Sequence, residues 1–375
     1  MRKHIIYRYF LFLSLVGLMQ LTLSCSSSSN EIEPLKPEGE DTPLEKDEYT
    51  FMNVEYRKWQ NGTFQAWTTA DSRETRTIDN MNWYTPSSDY SRTAWGGRIG
   101  LQPSSVVGKE SFFRVAYCGG RSYLLDPDNG AVIIHGIQHV RPGESTAHKK
   151  AFGTRYGSEA RWSEETGKLL ADNHINYISY GSNRIEVFPA AVRGNLLTPK
   201  TQKIAYAENL YLLRTFMWDM SKNLGYAFDD DKYNRLVLLF EPTFATYIDR
   251  LVQEKSALFA GDRHFIGFYL DNELPFASYQ GTGYANTEGG GWLVHTQKNR
   301  GEFYQNFCLR LLETRNCVGW VHFEYNDSYD SNGKASNKGV VSIEYEPYES
   351  FLSQMRQLNL SVHSLIDYYD IKSVQ

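Results

Sequence analysis

The chain has 375 residues, with 39 Lys plus Arg against 44 Asp plus Glu and a formal net charge of −5. That length supplies one large domain or two smaller ones, and a balanced charge without a long basic run argues against nucleic acid as a partner. At 22% charged residues the chain is neither membrane-embedded nor disordered in composition, while its 26 Tyr, 20 Phe and 8 Trp suit a surface that stacks on flat, hydroxyl-bearing ligands such as sugars.

Met1-Arg2-Lys3-His4 is a basic start, and Phe10 to Leu23 is an apolar stretch too short for a comfortable membrane span. It reads as a secretory signal. Ser24-Cys25 followed by Ser26 to Ser29 resembles a bacterial lipoprotein cleavage site, with Cys25 as the lipidated residue. Residues 1–24 are therefore expected to be a signal peptide. Residues 25–48, polar and without apolar periodicity, are expected to be a lipidated Cys and its disordered tether. The expected location is an exported lipoprotein at the cell surface or in the periplasm. Cys118, Cys308 and Cys317 are expected to be small buried hydrophobes, since no C-x-x-C spacing suggests a metal.

Residues 49–118 read as a small β-region. Val54 to Trp59 and Thr63 to Thr68 flank the hairpin signal Asn61-Gly62. Phe112 to Tyr117 and Ser122 to Leu125 flank Gly119-Gly120. Residues 119–375 change to a strand–helix alternation. Strands are expected at Ala131 to Ile137, Ile175 to Tyr180, Leu210 to Trp218, Phe265 to Leu270 and Val318 to Tyr325. Helical faces are Trp162, Thr166, Leu169 and Leu170; Phe244 to Val252, opened by Pro242; and Tyr304 to Leu312, with Thr296 as N-cap. Alternating βα units imply an α/β fold with a parallel sheet, and size and order favour a TIM-type (β/α)8 barrel.

The segment Phe265 to Pro275 ends an apolar strand in Asp271-Asn272-Glu273, where barrel enzymes keep their reactive groups. A Glu there suits protonation of a glycosidic oxygen, with the Asn272 amide on the sugar's 2-hydroxyl. A helix-capping Asp-Asn pair with a solvated Glu explains the same residues without chemistry.

F-I-G-F-Y-L-D-N-E-L-P-F, Phe265 to Phe276, resembles the fourth-strand motif of agarase-type glycoside hydrolases, the family 50 type with family 86 as neighbour. Arg121 to Gly130 followed by His135 to Gly143, Leu239 to Phe244, Asn286 to Gly291 with Thr296-Gln297, and Val318 to Val340 are similar to other family blocks in the same order. The resemblance implies retaining hydrolysis of a β-galactan such as agarose or porphyran, with Glu273 as acid/base and no cofactor or metal.

Two departures stand out. The 12 residues Leu274 to Ala285 cannot hold the fifth to seventh βα units, each of which needs about 30 residues, so the barrel is expected to be incomplete. The eighth strand reads Trp320-Val321-His322-Phe323 where the family has Trp-His-Trp-Phe. A retaining enzyme needs a second carboxylate. Glu324, on the face of Trp320 and His322, and Glu288 in a Gly-rich loop are its candidates, although a solvated role explains either. His139, Trp218, Trp292, Trp320 and His322 are candidate sugar contacts; core packing or structural hydrogen bonding is the plain alternative for each. Asp229-Asp230-Asp231 lacks calcium-loop spacing. The alternative to an enzyme is a non-catalytic glycan-binding lipoprotein or an inactive truncated homologue.

Overall fold

The computed structural model describes residues 49–60, 63–87, 90–182, 203–224, 240–271, 292–328 and 337–372. All belong to the second of two contact-defined units, Asp47–Gln375. The signal, Cys25 and its tether, the Asn61-Gly62 turn, the Asp229–Asp231 run, Asn272, Glu273, Glu288 and the Leu274–Ala285 stretch lie outside the described residues.

Short antiparallel strands come first. β1 (Met52–Arg57) pairs with β4 (Asp71–Thr75), and β2 (Trp59–Gln60) with β3 (Thr63–Phe64). β5 (Ser105–Val107), β6 (Arg114–Cys118), β7 (Arg121–Leu125) and β8 (Ala131–Val132) form a four-stranded sheet in that order. The expected β6–β7 hairpin is present, and the 118/119 boundary falls inside it.

One residue, Ile133, separates β8 from β9 (Ile134–Ile137), the first strand of the parallel sheet. Helices α1 (Thr146–Arg155) and α2 (Glu159–Asp172) lead to β10 (Tyr177–Ile178). β11 (Ala205–Asn209), α3 (Leu212–Leu224), α4 (Phe244–Leu258) and β12 (Phe265–Tyr269) follow. β13 (Leu293–Val294) returns to pair with β1. α5 (Gln297–Glu313), β14 (Gly319–His322) and α6 (Glu349–Lys372) complete the six helices among the described residues. The Thr296 hydroxyl accepts from the Asn299 N–H, so the expected N-cap is in place.

Within the sheet that contains β9 every pairing is parallel, and the strand order is β12-β11-β10-β9-β14. This is a mixed α/β fold whose parallel sheet has five strands among the described residues. Residues 272–291 are too few for three further βα units.

Side chains alternate across this sheet. Ile137, Ile178, Tyr206 and Phe265 face Trp162 and Leu170 of α2 and Phe351, Leu352 and Met355 of α6. The other face carries Ile134, Tyr177, Ala205 and Ala207, closed by Trp95 from the β-region. Gly136 shares this face. A Cβ there would meet Tyr177 Cδ1 at 2.5 Å, so only glycine lets the Tyr177 ring lie across β9.

Two expectations need correction. Leu210 to Trp218 is the start of a helix, and the strand precedes it. Leu213, Phe216 and Met217 pack together at helical spacing, whereas the strand packs Ala205 and Ala207 against Trp95 and Tyr177. Of the three cysteines only Cys308 is buried; Cys118 and Cys317 are half-buried.

Candidate functional site

The C-terminal ends of the parallel strands form one edge. Beyond β9 the chain turns at His139, which has a positive φ of 56°. The β10, β11 and β12 ends carry Tyr180, Tyr211 and Tyr269, and Phe323 and Glu324 follow β14.

Glu324 is 7% exposed. Its Oε2 lies 3.1 Å from His139 Nδ1, and its Oε1 accepts from the Ser328 hydroxyl at 3.2 Å. As a carboxylate it can only accept, so Nδ1 carries the proton. The Glu324 carbonyl accepts from Val340 N–H at 3.2 Å, and its own N–H donates to the Lys338 carbonyl at 3.3 Å. Both ends of the residue are thus fixed. Gly181, at φ +73°, makes room for the His139 ring: a Cβ there would meet His139 Cδ2 at 2.3 Å. Phe323 packs edge-on with that ring, with centroids 5.1 Å apart.

Three tyrosines continue the edge. Tyr180 lies 4.6 Å from Tyr269 and 6.4 Å from Tyr211, ring centroid to ring centroid. The Tyr269 hydroxyl is 3.2 Å from that of Tyr177. Burial pushes the Tyr177 and Tyr211 hydroxyls above their ordinary pKa, so they are neutral donors at physiological pH. The arrangement offers flat apolar faces with hydroxyls at their rims, the chemistry that a pyranose surface matches.

Loop 337–340 is pinned from beneath. Arg300 donates to the Lys338 and Gly339 carbonyls at 2.5 and 2.6 Å, and burial pulls its pKa down to about 10. The Gly339 N–H and the Tyr348 hydroxyl donate to Asp327 at 2.8 and 2.6 Å. Burial raises the Asp327 pKa, and these hydrogen bonds oppose it.

Of the residues singled out by sequence, the fold brings His139 and Glu324 into contact. Trp320 is 7% exposed, its indole N–H donates to the Tyr304 hydroxyl at 2.6 Å, and it packs against α5 and α6. His322 points the same way, with Nε2 2.9 Å from the Lys338 carbonyl and burial, helped by Arg300, holding its pKa near about 3. Both lie on the helix side of the sheet, Trp320 buried and His322 half-buried. Glu324 does not share their face, since its carboxylate meets His139 at the strand ends. Trp218 on α3 is exposed, and Trp292 stacks on Tyr56 of β1 at 4.1 Å. Asn272 and Glu273 follow directly on Asp271, whose Oδ2 accepts from the Leu213 N–H at 2.8 Å and caps α3. Sequence reasoning missed Tyr180, Tyr211 and Tyr269; the ends of the expected strands were the available signal for Tyr180 and Tyr269, and Tyr211 had none because β11 carries no apolar run. No group of three or more metal-ligating side chains occurs among the described residues.

No family model and no curated protein matches the sequence. Among solved structures the fold matches BpGH50 with a TM-score of 0.68 at 18% identity, over 86% of this chain and 96% of that one. The agarase AgWH50C gives 0.46 at 12% identity, over 75% of this chain and 67% of that chain. A β-glucuronidase of Parabacteroides merdae gives 0.33 at 9%, over 81% and 49%.

Proposed function

From a fold shared with a GH50-type protein, we propose that this chain is an agarase-like glycoside hydrolase acting on a β-galactan with net retention. In this reading the five parallel strands are the first four and the eighth of a TIM-type arrangement. The polysaccharide lies along the edge formed by Tyr180, Tyr211 and Tyr269. Glu273 protonates the leaving oxygen as the glycosidic bond breaks. Glu324 attacks the anomeric carbon, and Glu273 then takes a proton from the water that releases the glycosyl-enzyme. The observation that carries the reading is Glu324 itself: a buried carboxylate, oriented by His139 and Ser328, at the C-terminal end of a parallel strand. Export as a lipoprotein anchored through Cys25 belongs to the same reading, supported by the apolar Phe10–Leu23 stretch and Ser24-Cys25.

A second reading, glycan binding without turnover, is favoured by the shortness of residues 272–291, which are too few for three further βα units. Glu273→Gln and Glu324→Gln separate the two, tested on agarose and porphyran. Under the enzyme reading each lowers turnover by ~10²–10⁴-fold and leaves galactan affinity nearly unchanged. Binding by a parent that never cleaves selects the second reading. Full activity in both variants removes these carboxylates from the mechanism.

A further inference from the structure

Where the described chain begins, Tyr49 bridges Met81 and the Thr50 N–H donates to the Asn80 carbonyl at 2.9 Å. Two residues past that bridge stands Trp83, held at φ 59° and 74% exposed, the most exposed tryptophan among the described residues. Its neighbours are tied to α6: the Tyr368 hydroxyl donates to the Asn82 carbonyl at 3.2 Å, and Tyr84 packs edge-on against Tyr368 at 5.6 Å. One helical turn beyond Tyr368 on the same side is Ile371, 64% exposed. Pro86 is exposed as well. A large apolar ring and an aliphatic side chain thus project at the point where the N-terminal segment enters the fold.

We propose that the Trp83–Ile371 patch rests on the membrane surface; this builds on the lipid-anchor reading of Cys25. Three observations converge on a bilayer as the occupant. The chain preceding Tyr49 carries the apolar Phe10–Leu23 stretch and the Ser24-Cys25 site. Only 24 residues, Cys25 to Glu48, lie between an acyl group and the patch-bearing fold, a reach of at most ~85 Å. Tryptophan is the residue that settles at membrane–water interfaces. The orientation that results is functional. α6 begins beside Tyr348, which binds Asp327 near the Glu324 edge, and ends at the patch. Its 24 residues span ~36 Å, so a membrane-seated patch directs the candidate glycan edge away from the bilayer.

The test uses the full-length acylated protein in phosphatidylcholine vesicles whose acyl chains are brominated near the headgroup. Bromine quenches only tryptophans at the interface. The parent should float with the vesicles and lose part of its emission. Trp83→Phe should lose most of that quenching, while Trp218→Phe, on the exposed face of α3, should keep it. A floating parent with no quenching overturns the proposal without touching the anchor, as does equal quenching in parent and Trp83→Phe. Failure to float overturns the anchor reading and the proposal together. A dimer in detergent that Trp83→Phe dissolves assigns the patch to a second copy instead.

Discussion

Gly181→Ala isolates the contact that orients the candidate carboxylate. At φ +73°, alanine costs ~1–2 kcal/mol in backbone conformation alone. Its Cβ would also stand 2.3 Å from His139 Cδ2 and 2.6 Å from Nε2, distances no real contact allows. Phe323 also packs against the ring, and the ring yields by leaving Glu324. A hydrogen bond to a charged group is worth ~1.5–3 kcal/mol. The expected loss is therefore ~2.5–5 kcal/mol, read by urea unfolding, together with weakened retention on immobilised galactan. Gly153→Ala serves as the matched control. It lies within α1, no atom outside its own helix backbone and chain neighbours lies within 4 Å of its added Cβ, and alanine in a helix should gain ~0.5–1 kcal/mol. A Gly181→Ala loss below ~1 kcal/mol, or unchanged galactan retention, would refute the argument that Gly181 exists to seat His139.

Two further outcomes follow from buried charge. His363 is fully buried against Gly96, and burial holds its pKa near about 4. As pH falls from 6.5 to 4 the unfolded chain takes a proton that the folded one declines, so stability falls with pH by ~1.4 kcal/mol per unit for this group. His363→Gln should make the measured slope shallower by that amount, and superimposable slopes would contradict the assignment. Arg121, with no exposed surface, is gripped by Asp370 at 2.7 and 3.2 Å. Asp370→Ala strands that guanidinium and should cost ~3–5 kcal/mol. Arg121→Met, which keeps the volume and removes the buried charge, should cost less, and the reverse order in urea unfolding would defeat the reasoning.

The parallel sheet was legible where its strands are long-sided apolar runs, as at Ile134, Phe265 and Trp320. It was illegible at β11, whose positions packed against Trp95 and Tyr177 are alanines that carry little apolar signal. α6 shows the opposite case. Phe351, Leu352, Met355, Leu358, Val362 and Leu365 recur at helical spacing, and this buried helix went unread although its pattern was plain. Trp320 and His322 could not be told from sugar contacts because a strand's alternation says which residues share a face and not which face meets the helices. The pairing of His139 with Glu324 spans 185 positions. It depends on β9 and β14 lying side by side, a register that no local pattern encodes.

The single residue between β8 and β9 has a consequence for how such a chain can be altered. Ala131 and Val132 close the antiparallel sheet, and Ile134 opens the parallel one. Tyr49, Ile78, Ala116 and Leu125 of the first part share one core with Leu309, Leu358 and Leu365 of the second. Among the described residues there is no seam along which recombination could exchange the front portion for that of another protein. A cut at 118/119 would part β6 from β7 and open that shared core on both sides. The β-region and the parallel sheet share one core and should melt in a single step.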